Sequence, residues 1–169
     1  MQKDNLRKYV SEANPKVNQL LRNDMDASMY TFDSLFEEGS IPQPLYRLIN
    51  NEHIHIQNGE FTDKGYLSCT RDFDSFINHV EGVNIACLQF DIPVSFECID
   101  VCALLPDYNN EREIILPKGL RFRVESVKEY TTLCEIQDFL DNIGSISSAK
   151  EICEQYKIET IHYYKLTLA

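Results

Sequence analysis

Residues 109–124 read NNEREIILPKGLRFRV. Pro117, Lys118 and Gly119 are turn chemistry between two segments rich in β-forming residues, and Leu120, Phe122 and Val124 alternate with Arg121, Arg123 and Glu125 as a half-buried strand requires. The stretch predicts a hairpin. In its first arm the two-residue period of a strand puts Glu111 and Glu113 on one face, about 7 Å apart, with Arg112 on the other. Like charges so placed repel. Two readings stay open on these residues: a solvated edge that Arg112 balances, or two carboxylates that face one cationic transition state.

On both sides of this stretch the chain continues to read as strands. LYRLI at 45–49 and HIHIQ at 53–57 lead through an Asn58-Gly59 turn signal to GYLSCTRDF at 65–73, and further strands are expected over 84–91, 96–102, 111–116, 120–127 and 158–168. A short helix capped by Asp72 should carry Phe73, Phe76, Ile77 and Val80. Two helical stretches interrupt the strands between 132 and 156, the second opened by a Ser148 and Glu151 capping box. Before residue 40 the texture is helical. A helix is expected around 3–12, then one capped by Asn14 with Pro15 in its first turn and Val17, Leu20 and Leu21 on one face. Met25, Met29, Phe32 and Phe36 recur at helical spacing up to Gly39 and read as core. Helices first and strands after them predict one α+β domain over 1–169: a helical part, 1–40, and a β-rich core, 41–169, with a helical insertion at about 132–156.

Composition bounds what such a domain can do. The 169 residues suffice to bury one core, and 43% hydrophobic with 25% charged is ordinary globular composition. No apolar run approaches the ~20 residues of a membrane helix. MQKDNLRKYV has neither the apolar core nor the cleavage site of an ordinary secretory signal peptide, so a soluble cytoplasmic protein is expected. The six cysteines include no CxxC pair and read as reduced thiols. His53 and His55 share a strand face without a third ligand in sight, and no metal is expected. The net charge of -11 argues against binding to nucleic acid or to anionic membranes and favours encounter with basic protein surfaces.

Two more polar features need partners. Arg47 sits among Leu45, Tyr46, Leu48 and Ile49, so its guanidinium must find a carboxylate, a phosphate or the rim of the sheet. Ser68, Cys69 and Thr70 bring a strand to its end through three hydrogen-bonding side chains.

Taken in order, these pieces resemble the ADP-ribosyltransferases of the arginine, serine-threonine-serine, glutamate class, which includes bacterial toxins and effectors. Tyr46-Arg47 is similar to the family's aromatic-arginine strand, Ser68-Cys69-Thr70 to its Ser-Thr-Ser element, and Glu111-Arg112-Glu113 before IILPKGLRFRV to its Glu-x-Glu element. The likeness runs from about Ile41 to Val127, and TIHYYKLTLA resembles the family's last strand. It implies a split β-core of two packed sheets, with NAD as co-substrate in the cleft between them and N-terminal helices beside it.

The resemblance also implies roles. Arg47 would hold the NAD pyrophosphate or adjoining ribose, and Ser68 would orient Glu113. Thr70 would support the strand end or the nicotinamide ribose. Glu113 would stabilise the oxocarbenium-like charge that grows as nicotinamide leaves. Glu111 would orient and deprotonate the acceptor; glutamate at this position goes with arginine acceptors in the family, which implies a target protein presenting an arginine on a basic surface. Leu48 stands where the family often has glycine beside the nicotinamide, and Cys69 replaces the middle residue of the triplet and should point away from Ser68 and Thr70. Phe73 or Phe76 could stack on nicotinamide or pack the short helix. Tyr108 could recognise the target or be an ordinary loop tyrosine. A monomer is expected, delivered into another cell's cytosol if it acts there. NAD glycohydrolysis and a transferase-shaped binding module without activity remain the alternatives.

Overall fold

The N-terminal helices form one continuous run, α1 (Gln2–Lys8), a π-helical turn (Tyr9–Ala13) and α2 (Asn14–Arg22). The structure is a computed structural model that describes residues 2–41, 43–77, 80–108 and 113–169, with the backbone alone for residues 12–15. The expected break at Asn14 is absent. Pro15 has no N–H for a bond back along the helix, and the wide turn that precedes it carries the chain through while keeping Leu6, Tyr9 and Val17 on the buried side. Asp24 then adopts a left-handed conformation, with Met25 N bonded to the Leu20 carbonyl and Asp24 N to that of Leu21, which closes α2 in a Schellman motif.

The helix expected through Met25 and Met29 does not form. Asp26 accepts a hydrogen bond from the Ser28 amide, local turn bonding of the kind that competes with a helix. Met25 and Met29 are 58% and 79% exposed, so their placement in the core is corrected, while Phe32 is buried. It stacks on Tyr66 with ring centroids 4.2 Å apart, and Tyr9 meets both rings edge-on. These three rings fix the N-terminal run against the sheet.

The strands are β1 (Glu37–Ser40), β2 (Leu45–Asn50), β3 (Ile56–Gln57), β4 (Glu60–Thr62), β5 (Leu67–Thr70), β6 (Asn84–Asp91), β7 (Ser95–Asp100), β8 (Glu113–Leu116), β9 (Arg121–Tyr130) and β10 (Thr160–Leu168). They hydrogen-bond in the order β1-β7-β8-β5-β2-β6-β10-β9-β4-β3. Between β5 and β2 the ladder narrows to one residue pair, Tyr46 with Thr70. Residues from both sides of this split, among them Leu67, Cys69, Ile114 and Leu116 from one half and Leu45, Leu88, Phe90 and Phe122 from the other, form one buried cluster. Cys69 points into it, away from Ser68 and Thr70, as expected.

The hairpin expected at Pro117-Lys118-Gly119 is corrected: β8 pairs with β5 and β7, β9 with β10 and β4. The turn is real, with Gly119 at φ 79°, but it carries the chain from one half of the sheet to the other. The Gly119 amide bonds to the Asp63 carbonyl at 3.0 Å, which ties it to the connection between β4 and β5, where the chain also crosses. HIHIQ contributes only the short β3, after a 3-10 turn at Asn51–His53. The strand expected over 96–102 ends at Asp100, whose side chain caps the one-turn helix α4 (Val101–Leu104).

Helices cover the outer faces. The N-terminal run packs on Tyr66, Ile99 and Ile115 of one half. On the other half, α3 (Phe73–Phe76), α5 (Leu133–Asn142) and α6 (Ala149–Tyr156) cover Leu48, Ile85, Cys87 and Ile161. The caps expected at Asp72 and Ser148 are present, and Thr132 with Glu135 adds a capping box to α5. Among the described residues no helix is long and apolar enough to cross a membrane.

Asp74 locks this cover in place. Its carboxylate accepts from Ser145 Oγ at 2.5 Å, Ser147 Oγ at 2.6 Å and the Ile146 amide at 3.0 Å, which pins the α5–α6 connection to α3. Burial pushes the carboxyl up, but these bonds outweigh it and hold it below the ordinary carboxylate range. A folded value below the unfolded one gives stability that is complete above about pH 4 and lost as pH falls through the folded value. Asp74→Ala is therefore expected to cost roughly 1–3 kcal/mol at neutral pH and less in acid. Urea unfolding at a series of pH values checks this; parallel losses for variant and wild type would remove Asp74 from the account.

Candidate active site

The site begins where the β2–β5 ladder stops. Arg47 of β2 shares a face with Leu45 and Ile49, directed into the space between the halves, and its Nη1 donates to the Ser68 carbonyl at 3.0 Å. Among the described residues it forms no ion pair. A guanidinium has five donors, so most of its hydrogen-bonding capacity remains for a ligand.

Across the split, Thr70 pairs directly with Glu113 and Ser68 with Ile115, so Ser68, Thr70 and Glu113 share one face of β5 and β8. Ser68 is the diagonal neighbour of Glu113, at a Cβ separation of about 7–8 Å that side chains of this length can bridge. Glu113 is only 7% exposed. Thr70 Oγ1 accepts from the Asp72 amide at 3.1 Å, supporting the strand end where the chain turns into α3.

Two residues that motif reasoning missed complete the cluster. The Tyr9 hydroxyl lies 3.4 Å from Ser68 Oγ and accepts from Asn18 Nδ2 at 3.0 Å. Asn18 Oδ1 in turn accepts from the Tyr66 amide at 2.9 Å. Burial pushes the Tyr9 hydroxyl up; Ser68, Arg47 and Asn18 oppose this and Glu113 reinforces it. Ser68 thus meets Arg47 through its carbonyl and Tyr9 through its hydroxyl, which joins the two sides of the split here. Gly65 makes the fit possible, because a Cβ there would lie 2.6 Å from Asn18 Oδ1. An asparagine on a buried helical face and a glycine just before a buried strand were the available signals.

Arg47 also lines a cavity of about 560 Å³ between the halves, together with Arg22, Asn23, His53, His55, Asp63 and Lys64. Such a volume is ordinary for a cofactor-sized ligand. The cations are held in place. Asp63 takes Arg22 in a two-point pair, Nε to Oδ1 at 2.8 Å and Nη2 to Oδ2 at 2.7 Å, and also accepts from the Gly65 amide. Burial pushes the Asp63 carboxyl up, yet the Arg22 bonds prevail and hold it below its ordinary range. Lys64 pairs with Asp24 at 2.6 Å. Three cationic side chains, one of them without a carboxylate partner among the described residues, suit a diphosphate. His53 and His55 stand at this cavity, and no group of three or more His, Cys, Asp or Glu among the described residues could hold a metal ion.

Other expected site residues have their side chains in the packing around the sheet. The Leu48 side chain points to the face of β2 opposite Arg47 and is buried under the helices, while its backbone continues the Arg47 strand. Phe73 is 2% exposed and packs edge-on against Phe139 with centroids 5.9 Å apart, as part of the helix packing. Phe76 packs partly buried against the same cluster. Tyr108 is half-buried, with the Arg7 guanidinium 5.9 Å from its ring centroid. Glu111 and Arg112 lie outside the described residues.

The sequence matches the ADP-ribosyltransferase exoenzyme family over residues 32–143, about two-thirds of the chain. The chain belongs to this family. Membership makes it an ADP-ribosyltransferase that uses NAD. Similar solved structures, in which the shared feature is the fold, include Pseudomonas aeruginosa Exoenzyme S, in complex with human 14-3-3 protein beta and bound to carba-NAD. It is 15% identical, with 99% of this chain and 73% of that one covered at a TM-score of 0.58. The Salmonella SpvB ATR domain is 13% identical over 98% of both chains, TM-score 0.60. Plx2a, an ADP-ribosyltransferase toxin from Paenibacillus larvae, is 14% identical over 99% of this chain and 85% of that one, TM-score 0.56. No curated protein matches the sequence.

Proposed function

We propose that this ADP-ribosyltransferase transfers ADP-ribose from NAD to an arginine of a target protein and releases nicotinamide. The observation that carries this reading is Glu113, buried opposite Thr70, diagonal to Ser68 and close enough to Tyr9 to share its field with Arg47. Arg47 binds the pyrophosphate through its charged fork, beside the cations of the cavity. As the bond between ribose C1′ and the nicotinamide nitrogen breaks, its electron pair leaves with nicotinamide, and the Glu113 carboxylate stabilises the positive charge left on the ribose. Ser68, itself held by Tyr9 and Asn18, orients that carboxylate; Thr70 keeps the strand end in register. Glu111 aligns the incoming guanidinium and takes its proton as the new C1′–N bond forms. The net charge of -11 suits a target with a basic surface around the acceptor, met as a monomer in the cytosol of another cell.

Incubation with labelled NAD and a cell lysate, followed by mapping of the modified side chain, tests the proposal; label on a side chain other than arginine would refute the acceptor. Glu111→Gln tests the division of labour. Loss of the charge should reduce arginine labelling by about 10²-fold or more, the scale of a removed general base, while nicotinamide release falls much less, because water needs no clamp. Equal loss of both activities would move Glu111 to cofactor cleavage. Free ADP-ribose without any labelled protein would favour NAD glycohydrolysis at the same site.

A further inference from the structure

Adjacent residues of a strand face opposite ways, so Tyr46 looks away from the Arg47 cavity, toward the helix-covered face of the sheet. There a second cavity, about 500 Å³, opens beside the C-terminal end of α5. The strand registers set its floor: Tyr46 of β2 stands opposite Gln89 of β6, Gln89 opposite Lys165 of β10, and Lys165 opposite Ser126 of β9, a polar row across four strands. Tyr130 and Tyr163 supply an aromatic surface, each packed on the buried Phe139 with ring centroids 5.1 Å apart. Tyr46 is 3% exposed as a residue and lines the cavity, and its hydroxyl, unbonded among the described residues and not a buried unpartnered atom, is open to the cavity. Burial holds that hydroxyl up at about 12, so it stays a neutral donor at physiological pH. Gln89 Oε1 is taken by the Tyr163 hydroxyl, which leaves the Gln89 amide N–H groups as further donors.

The charge at this cavity is one-sided. Lys128 Nζ lies 5.2 Å from the Tyr130 ring centroid and Lys165 Nζ 5.9 Å from that of Tyr163. Neither lysine has a carboxylate partner among the described residues, and no carboxylate lines the cavity. In a chain with 27 acidic and 16 basic side chains, two lysines left to aromatic rings beside a cavity-lining phenol form a local exception to the overall charge. Donors, cations and a flat aromatic surface together select a ligand of one kind.

We propose that this cavity binds a small molecule with a flat apolar body and an anionic group, the body against the Tyr130 and Tyr163 surface, the anion at Lys128 and Lys165, and an acceptor atom at the Tyr46 hydroxyl. The site is separate from the NAD cavity and independent of the transfer reaction. Indole-3-acetate is a suitable probe, because the chain has no tryptophan and the ligand's own emission reports binding. Saturable binding by fluorescence anisotropy is expected, with indole alone binding more weakly. Tyr46→Phe, which removes one oxygen and keeps the packing, should weaken binding about three- to tenfold. The double variant Lys128→Gln, Lys165→Gln changes only exposed groups and should weaken it by about tenfold or more. Saturating NAD and Arg47→Ala should leave it unchanged. Absence of saturable binding, equal affinity for indole and indole-3-acetate, indifference to all these floor and rim substitutions, or displacement by NAD would each overturn the proposal.

Discussion

Glu113→Gln is expected to lower ADP-ribosyl transfer by about 10²–10³-fold, the scale on which a single group aimed at developing charge contributes. Glutamine keeps the shape and loses the charge. The fold should tolerate the change, because glutamine keeps the volume of the buried side chain and a carbonyl oxygen that can still accept hydrogen bonds. Labelling kinetics and thermal unfolding, measured on the same preparation, separate the two effects. Near wild-type labelling would place the transition-state charge away from Glu113; a collapse in stability with proportionate activity loss would make Glu113 a structural residue.

Arg47→Ala is expected to weaken NAD binding by roughly 1.5–3 kcal/mol, the range for hydrogen bonds to charged groups. The side chain has two tasks here, a bond to the Ser68 carbonyl and a set of donors without a carboxylate partner among the described residues. Arg47→Lys keeps the charge but not the planar fork, so it should recover only part of the loss. Calorimetric titration with NAD gives the answer directly. Unchanged affinity in Arg47→Ala would put the diphosphate on Arg22 and Lys64 instead.

Local chemistry that needs few neighbours was legible in the sequence. Asp72 and Ser148 were recognisable as caps because a cap is decided within three residues, and the α+β order followed from the change of period near residue 40. Arg47, Ser68 and Glu113 stood out as polar groups in strands that had no use for them. What failed needed distant parts of the chain. The turn at Pro117-Lys118-Gly119 has hairpin chemistry, yet pairing is decided by which strands already occupy the neighbouring positions, and β5 and β7 flank β8. Met25 and Met29 have helical spacing, but Asp24 and Asp26 spend their bonds on turns first. Tyr9 and Asn18 belong to helices whose polar side chains look unremarked until folding brings them over Ser68. Phe73 finds its packing partner in Phe139, 66 residues away, beyond the reach of any local pattern.

The single pair that joins β5 to β2 gives the cleft a mechanical character. Parting β6 from β10 would sever a ladder of eight residue pairs, whereas the ladder between the halves is one pair, Tyr46 with Thr70, beside the Arg47 bond to Ser68, and the buried cluster that both halves share makes the rest of the join. The join between the halves is therefore made by side chains more than by backbone. A diphosphate bound at Arg47 would compete with the Ser68 carbonyl for the same donors, and so would be felt at that join.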